Sequence, residues 1–123
     1  MKIISFAWTT PALLAGAKTV TRRNWSPRYA QSFHAGDLVQ AWDKLPRAGG
    51  KRVGTIRLTQ EPYLQKLEDA PDSEYLAEGL GWLNQQFWHD APDRTDYMVD
   101  GRVPRDFWLE WKEQNPTLWV IRF

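Results

Sequence analysis

Short alternating runs of hydrophobic and polar residues dominate the first half of the chain, as is typical of half-buried β-strands. The loop between the last two runs contains Pro46 and a Gly-Gly pair at 49–50, which predicts a hairpin. A brief helix is predicted after the first run, with Thr9 or Thr10 as its cap and Gly16 just beyond its end. The predicted strands are residues 2–6, 19–23, 38–42 and 52–58.

The second half of the chain changes to the longer period of helices after residue 70. Residues 71–73 (PDS) predict the start of a pair of short helices that ends near Trp88. A further helix is predicted from Pro104 to about Gln114, followed by a closing strand at 118–123. The Asp-rich stretch 89–103 between them is typical of a surface loop. The pattern predicts a single α+β domain over residues 1–123, with a small, strongly curved β-sheet or barrel flanked by short helices.

Composition restricts the chemistry that this domain can perform. The chain has 123 residues and no cysteine, which excludes disulfides, thiol nucleophiles and cysteine-ligated metals. Only His34 and His89 could offer ring nitrogens, so a zinc enzyme is not expected. Neither a bound metal nor a cofactor is expected. The apolar start at 3–8 ends at Thr9 and is too short for a signal peptide or a membrane span. A soluble cytoplasmic protein without membrane contact is expected.

The net charge of +1 conceals a strong asymmetry along the chain. Residues 1–57 carry ten Lys or Arg against two Asp, a balance of +8, whereas residues 58–123 carry six basic and thirteen acidic residues, a balance of −7. A positive first half can concentrate a phosphate-bearing ligand. Alternatively, the acidic half folds over the basic half and neutralises it.

Eight tryptophans are many for this length, and indole rings can either fill a core or stack on a base. Trp108, Trp111 and Trp119 lie in a predicted helix and strand, which favours a core role. Trp8 and Trp25 flank the segment 16–23 and are candidates for stacking on a ligand.

Segment 16–23 (GAKTVTRR) places a cation and two hydroxyls at one turn and strand. Alternation predicts that Thr21 and Arg23 share one face of the strand, with Arg22 and a core-facing Val20 on the other. Residues three apart in a strand point to opposite faces, so Lys18 must lie in the preceding turn to meet Thr21. Without further context, such a segment is an exposed edge strand in which lysine discourages pairing.

The order and spacing of four segments across the chain resemble the ASCH domain (activating signal cointegrator homology) of the PUA-like superfamily. These segments are 16–23 (GAKTVTRR), 33–39 (FHAGDLV), 77–80 (AEGL) and 119–123 (WVIRF). The resemblance implies a small β-barrel flanked by helices, with a cleft proposed to bind RNA or nucleotides. The family includes a bacterial branch similar to N4-acetylcytidine amidohydrolase.

In that branch a lysine, a threonine and a glutamate carry the reaction, and the resemblance assigns these roles to Lys18, Thr21 and Glu78. Arg23 matches the arginine that closes the motif. Many ASCH sequences have glutamate at the position of Thr21, so Thr21 favours the amidohydrolase branch. This chain differs from the branch in its greater length, its segment 89–103 and its many tryptophans.

Two classes of function remain open from the sequence. In the first, the protein hydrolyses the exocyclic amide of a modified pyrimidine nucleoside, with Thr21 as nucleophile or water-positioning group, Lys18 as base and Glu78 as its partner. In the second, it is a non-catalytic RNA- or nucleotide-binding module, or a ribonuclease using the same cleft. The groups that would then hold phosphates or stack on a base are Lys18, Arg22, Arg23, Arg28, Trp8 and Trp25. Glu78 could also be an ordinary solvated acid at a helix end.

Overall fold

The computed structural model describes residues 1–89 and 94–123, which form six strands and five α-helices. The elements are β1 (Ile3–Ser5), α1 (Thr10–Leu14), β2 (Val20–Arg23), α2 (Pro27–Ala30), β3 (Leu38–Trp42), β4 (Arg52–Arg57), β5 (Tyr63–Lys66), α3 (Ser73–Ala77), α4 (Leu80–His89), α5 (Pro104–Gln114) and β6 (Thr117–Arg122). Single 3-10 turns lie at Ala7–Thr9, Pro46–Ala48, Leu67–Asp69 and Arg94–Tyr97. The predicted α+β class is confirmed.

The strands form two three-stranded sheets. One has the order β1-β3-β4, with β1 parallel to β3 and β3 antiparallel to β4, and the other is the antiparallel sheet β2-β6-β5. The sheets meet where the Thr59 amide donates to the Arg122 carbonyl oxygen at 3.0 Å. Among the described strands no ladder closes the two sheets into one barrel, so the predicted strongly curved barrel remains a prediction.

Within the described part of the chain, two apolar clusters form the core. The first lies between the sheets, and the second lies between the helices. Trp108 is almost fully buried in the second cluster and Trp119 is buried in the first, which confirms the core role predicted for both. Val20, Thr21 and Arg22 of β2 are buried, so this strand lies in the interior of the domain.

Local signals placed most of the elements correctly. The observed bounds of β3 and α5 are those predicted, and Asn115 ends α5 in a left-handed conformation just before Pro116. The sequence pattern did not predict β5 or the four-residue α2. Within the predicted loop 89–103, His89 ends α4, a 3-10 turn follows at Arg94–Tyr97, and residues 90–93 lie outside the described part. No helix in the described ranges is long and apolar enough to cross a membrane.

Candidate functional site

The turn before β2 brings Lys18 to the C-terminal end of α3. Gly16 ends the α1 turn with φ +75°, and the Thr19 amide then donates to the Ala77 carbonyl oxygen at 2.8 Å. Lys18 Nζ donates to the backbone oxygen of Glu78 at 2.9 Å and to its Oε1 at 3.0 Å. Lys18 therefore lies outside the strand, as alternation predicts, and it helps to satisfy carbonyl groups that the end of a helix leaves free.

Gly79 makes this close approach possible. Its φ is +85°, a left-handed conformation that costs an L-residue energy. A Cβ at this position would lie 2.6 Å from the Ala12 Cβ and 3.1 Å from the Lys18 Cβ. Glycine is thus required here both by the backbone turn and by space, and this explains why AEGL and the lysine turn occur together.

Glu78 bridges two buried cations. Its Oε1 accepts from Lys18, and its Oε2 accepts from Arg22 Nη1 at 2.7 Å. Arg22 Nη2 also donates to Glu74 Oε1 at 2.6 Å and to Gln65 Oε1 at 3.0 Å. The side chains of Lys18, Arg22, Glu74 and Glu78 are all at most 7% exposed, so these pairs are little screened by water. The buried Arg22 Nε lacks a partner among the described residues.

Glu74 connects these buried charges to Arg122, whose side chain is partly exposed. Its Oε2 accepts from Arg122 Nη1 at 3.2 Å, and its Oε1 accepts from Arg122 Nη2 as well as from Arg22. Arg122 also donates to the Tyr63 hydroxyl from Nη2, at 3.0 Å. The result is an alternating row of five charges, namely Lys18, Glu78, Arg22, Glu74 and Arg122.

Thr21 and Arg23 lie on the same face of β2, as alternation predicts. Arg23 Nε donates to Thr21 Oγ1 at 3.3 Å, and Arg23 Nη2 donates to the Ser5 carbonyl oxygen at 2.5 Å. The Phe6 ring lies 5.7 Å from the Arg23 guanidinium and 6.0 Å from Lys18 Nζ. Val20 on the opposite face is fully buried.

A cavity of about 230 Å³ brings these residues together. Lys18, Thr21 and Glu78 all line it, together with Arg22 and Arg23. Its other walls are mainly apolar and include Phe6, Leu80, Val99, Phe107 and Trp111. Trp8 also lines the cavity and is 54% exposed, and it follows Ala7, which has a positive φ of 45°.

Two of the candidate binding residues lie elsewhere. Trp25 stacks on Phe33 with ring centroids 4.8 Å apart and packs against the core between the sheets, and it is not among the residues that line the cavity. Arg28 is exposed and lines a separate shallow pocket with Lys2, Ser26 and Ser32. The structure therefore brings Trp8 to the cavity together with Arg22 and Arg23, but not Trp25 or Arg28.

The sequence left open whether burial, which lowers the pKa of Lys18, or the charge of Glu78, which raises it, has the larger effect. In the structure, burial lowers the pKa of Lys18, contact with Glu78 opposes this, and the positive charges of Arg23 and Arg22 add to the lowering, so the net pKa lies below its ordinary value. Burial alone would raise the pKa of Glu74, but hydrogen bonds from Arg122 and Arg22 outweigh it and hold that pKa below its usual value.

Glu74 and Gln65 are site residues that sequence reasoning missed. Glu74 precedes Glu78 by four residues, a spacing that places two side chains on one face of a helix. This spacing could have identified Glu74 as a companion of Glu78. Gln65 carried no such signal, because its element β5 was not predicted.

Within residues 1–89 and 94–123, no group of three or more His, Asp or Glu side chains is arranged to hold a metal ion. No protein-family model, curated protein or solved structure matches this chain.

Proposed function

We propose that the protein is a small amidohydrolase of the ASCH type, which cleaves the exocyclic amide of an N-acylated pyrimidine nucleoside such as N4-acetylcytidine. The observation that carries the proposal is the convergence of Lys18, Thr21 and Glu78 on one cavity, with the Lys18 amine bonded to Glu78 and buried. A lysine with a lowered pKa gives up its proton more readily than a free lysine, and it is therefore better suited to act as a general base.

The reaction needs a nucleophile, a base and a group that stabilises the oxyanion. Neutral Lys18 removes the hydroxyl proton from Thr21 as its oxygen attacks the amide carbonyl. The protonated Lys18 then gives that proton to the departing exocyclic nitrogen, and an acyl ester remains on Thr21. Water hydrolyses the ester, so that one acylated nucleoside and one water yield the nucleoside and a carboxylic acid. The guanidinium of Arg23, which already contacts Thr21 Oγ1, lies where it can stabilise the oxyanion.

The charge balance of the cavity favours a small neutral substrate over a phosphate. Lys18 and Arg22 are both bonded to Glu78 and Arg22 also to Glu74, so carboxylates offset these cations, and only the guanidinium of Arg23 lines the cavity without a carboxylate partner among the described residues. Phe6, Phe107 and Trp111 offer apolar surface against which a pyrimidine ring can pack. Both features support a nucleoside rather than a nucleic-acid backbone at this cavity.

A PUA-like, strongly curved barrel remains part of the proposal. The hydrogen bond between Thr59 and Arg122 supports it, because it joins the ends of the two sheets.

Nucleotide or RNA binding without catalysis is the second candidate function. It is favoured by the shallow pocket at Lys2 and Arg28, where two cations lie beside the hydroxyls of Ser26 and Ser32. Binding to phosphates there would weaken steeply as salt rises, because counterion release supplies much of the affinity. Hydrolysis of an uncharged nucleoside would depend little on salt.

Incubation of the purified protein with N4-acetylcytidine and other acylated nucleosides tests the proposal, with product followed by chromatography. Lys18→Met and Thr21→Val keep the size of each side chain while removing the amine or the hydroxyl. Each is expected to lower kcat/KM by roughly 10²-fold or more. Lys66→Met, at an exposed position on β5, is the matched control and should retain activity. Absence of turnover on every acylated nucleoside, or unchanged turnover in both variants, would overturn the proposal.

A further inference from the structure

Each oxygen of the Glu78 carboxylate is held by a different cation. Oε1 faces Lys18 at 3.0 Å and Oε2 faces Arg22 at 2.7 Å. Arg22 is held in turn by Glu74 at 2.6 Å, and the side chains of Arg22 and Glu74 are only 1% and 7% exposed. The buried charges of Arg22 and Glu74 thus hold Glu78 in place, although neither residue takes a direct part in the proposed reaction.

We propose that Arg22 and Glu74 form a positioning pair for the site: Glu74 fixes Arg22, Arg22 fixes Glu78 and offsets its charge, and Lys18 is thereby free to act as the base. This inference rests on the proposed hydrolase function. Both residues act through Glu78 rather than on the substrate.

The geometry requires an arginine at position 22. One guanidinium spans two carboxylates, with Nη1 on Glu78 and Nη2 on Glu74, and this uses the fixed fork of the group. With Oε2 taken by Arg22, the carboxylate of Glu78 cannot rotate freely, and Oε1 remains directed at Lys18 Nζ. A lysine at this position would keep the charge but could not hold both partners in one plane.

The charges around Lys18 explain why Arg22 affects the pKa of the Lys18 amine. Glu78 faces the amine from the end of α3, Arg22 and Arg23 face it from β2, and the Phe6 ring lies 6.0 Å away beyond β1. With Glu78 as its sole counterion, a buried lysine would keep its proton strongly. Arg22 shares the negative charge and so weakens that hold. Among these cations only lysine can lose its proton, because arginine stays charged in proteins.

The same arrangement serves the protonated form of the base. When Lys18 accepts the hydroxyl proton of Thr21, an ammonium forms directly against Glu78 Oε1, which stabilises it. The proton then passes to the departing nitrogen, and Lys18 returns to its neutral form. The carboxylate of Glu78 must therefore be fixed in place, and its negative charge must be partly offset. Arg22 does both, and Glu74 holds Arg22 in position.

Opposite charges at positions 22 and 74 give a test that a purely structural role would not pass. Arg22→Met removes a positive charge, leaves Glu78 to Lys18 alone, and should raise the pKa of Lys18. Glu74→Gln removes a negative charge, makes the surroundings of Lys18 more positive, and should lower the pKa of Lys18 further. Both variants remove a buried ion pair, so damage to the fold alone would not shift the pKa in opposite directions.

The pKa of Lys18 can be followed directly by NMR titration of lysines labelled with ¹³C at Cε, independently of catalysis. The limb of the profile of kcat/KM against pH on N4-acetylcytidine that reports the base gives a second reading. We expect this limb to move to higher pH in Arg22→Met and to lower pH in Glu74→Gln. Arg22→Lys should leave the limb near its wild-type position while kcat falls on the order of 10²-fold, because the charge stays but the double hold is lost. Arg47→Met, at an exposed position, should change neither reading.

The outcomes separate this inference from the proposed function. If the wild-type protein hydrolyses no acylated nucleoside but Lys18 titrates in opposite directions in the two variants, the hydrolase proposal fails and the electrostatic role of the pair stands. If the pKa of Lys18 is unchanged, or shifts in the same direction in Arg22→Met and Glu74→Gln, the positioning role of Arg22 and Glu74 is wrong even if the protein hydrolyses an acylated nucleoside. Should Arg22→Met fail to fold, Glu74→Gln must still lower the pKa of Lys18 and Arg22→Lys must still lower kcat without moving the limb, and either failure overturns the inference.

Discussion

Replacing Glu78 by glutamine is the sharpest test of the buried charge row, because it changes the charge and hardly changes the size. Glu78 accepts from Lys18 at 2.9 Å and 3.0 Å, through its backbone oxygen and its Oε1, and from Arg22 at 2.7 Å. In Glu78→Gln only one side-chain oxygen remains, and the new amide N–H groups face a cation. Lys18 would then have no carboxylate partner among the described residues, whereas Arg22 would keep its ion pair with Glu74.

Removal of one partner from a buried ion pair typically costs about 3–5 kcal/mol. The side chains of Lys18 and Glu78 are 1% and 5% exposed, so the full range applies to this site. For a domain of this size, each kcal/mol lowers the melting temperature by roughly 3–5 °C, and we expect a drop of about 10–20 °C near pH 6. The difference in melting temperature between the wild type and Glu78→Gln should become smaller as pH rises. The pKa of Lys18 in the folded variant falls further below the unfolded value, so the amine loses its proton in the folded state first and stability rises with pH.

Differential scanning calorimetry of the wild type and Glu78→Gln between pH 6 and pH 9 measures both effects. Glu113→Gln, at an exposed position on α5, is the matched control and should melt close to the wild type. If Glu78→Gln melted at the same temperature as the wild type, the buried ion pairs of Glu78 would contribute nothing to the stability of the fold. A deficit that widens with pH would refute the assigned role of Lys18.

Three further predictions follow from the packing around the site. Gly79→Ala should destabilise the protein by at least about 1–2 kcal/mol in urea unfolding, since it forces an L-residue to φ +85° against Ala12, and unchanged stability would mean that the turn relaxes freely. Trp108→Ala, at a position that is 1% exposed, should cost about 3–5 kcal/mol in the same assay, and a loss below about 1 kcal/mol would contradict a packed helical core. The pKa of Glu74 is lowered in the folded state, so its contribution is present above the unfolded pKa near 4.5 and is lost as pH falls through the folded pKa. The stability difference between the wild type and Glu74→Gln should therefore shrink in acid, and a constant difference would contradict the ion pairs.

Elements whose ends are marked by local chemistry could be predicted from the sequence. Pro104 begins α5 and Asn115-Pro116 ends it, and alternating polarity marks β3, because backbone sterics and hydrogen-bonding limits act within a few residues. The period of a strand also predicted that Lys18 must lie before β2. β5 and the parallel pairing of β1 with β3 were missed, since a short strand is recognised only through a partner distant in sequence.

The sequence by itself determined the α+β class, most of the element positions and the set of polar groups available for chemistry. Tertiary structure alone decided which of those groups meet. Lys18 reaches Glu78 across 60 residues of chain and Arg22 reaches Glu74 across 52, whereas Trp25 turns into the core and Arg28 remains at the surface. The physical reason is that a sequence pattern reports how polar a position is, while the pKa of Lys18 depends on burial and on charges brought to it from other parts of the chain.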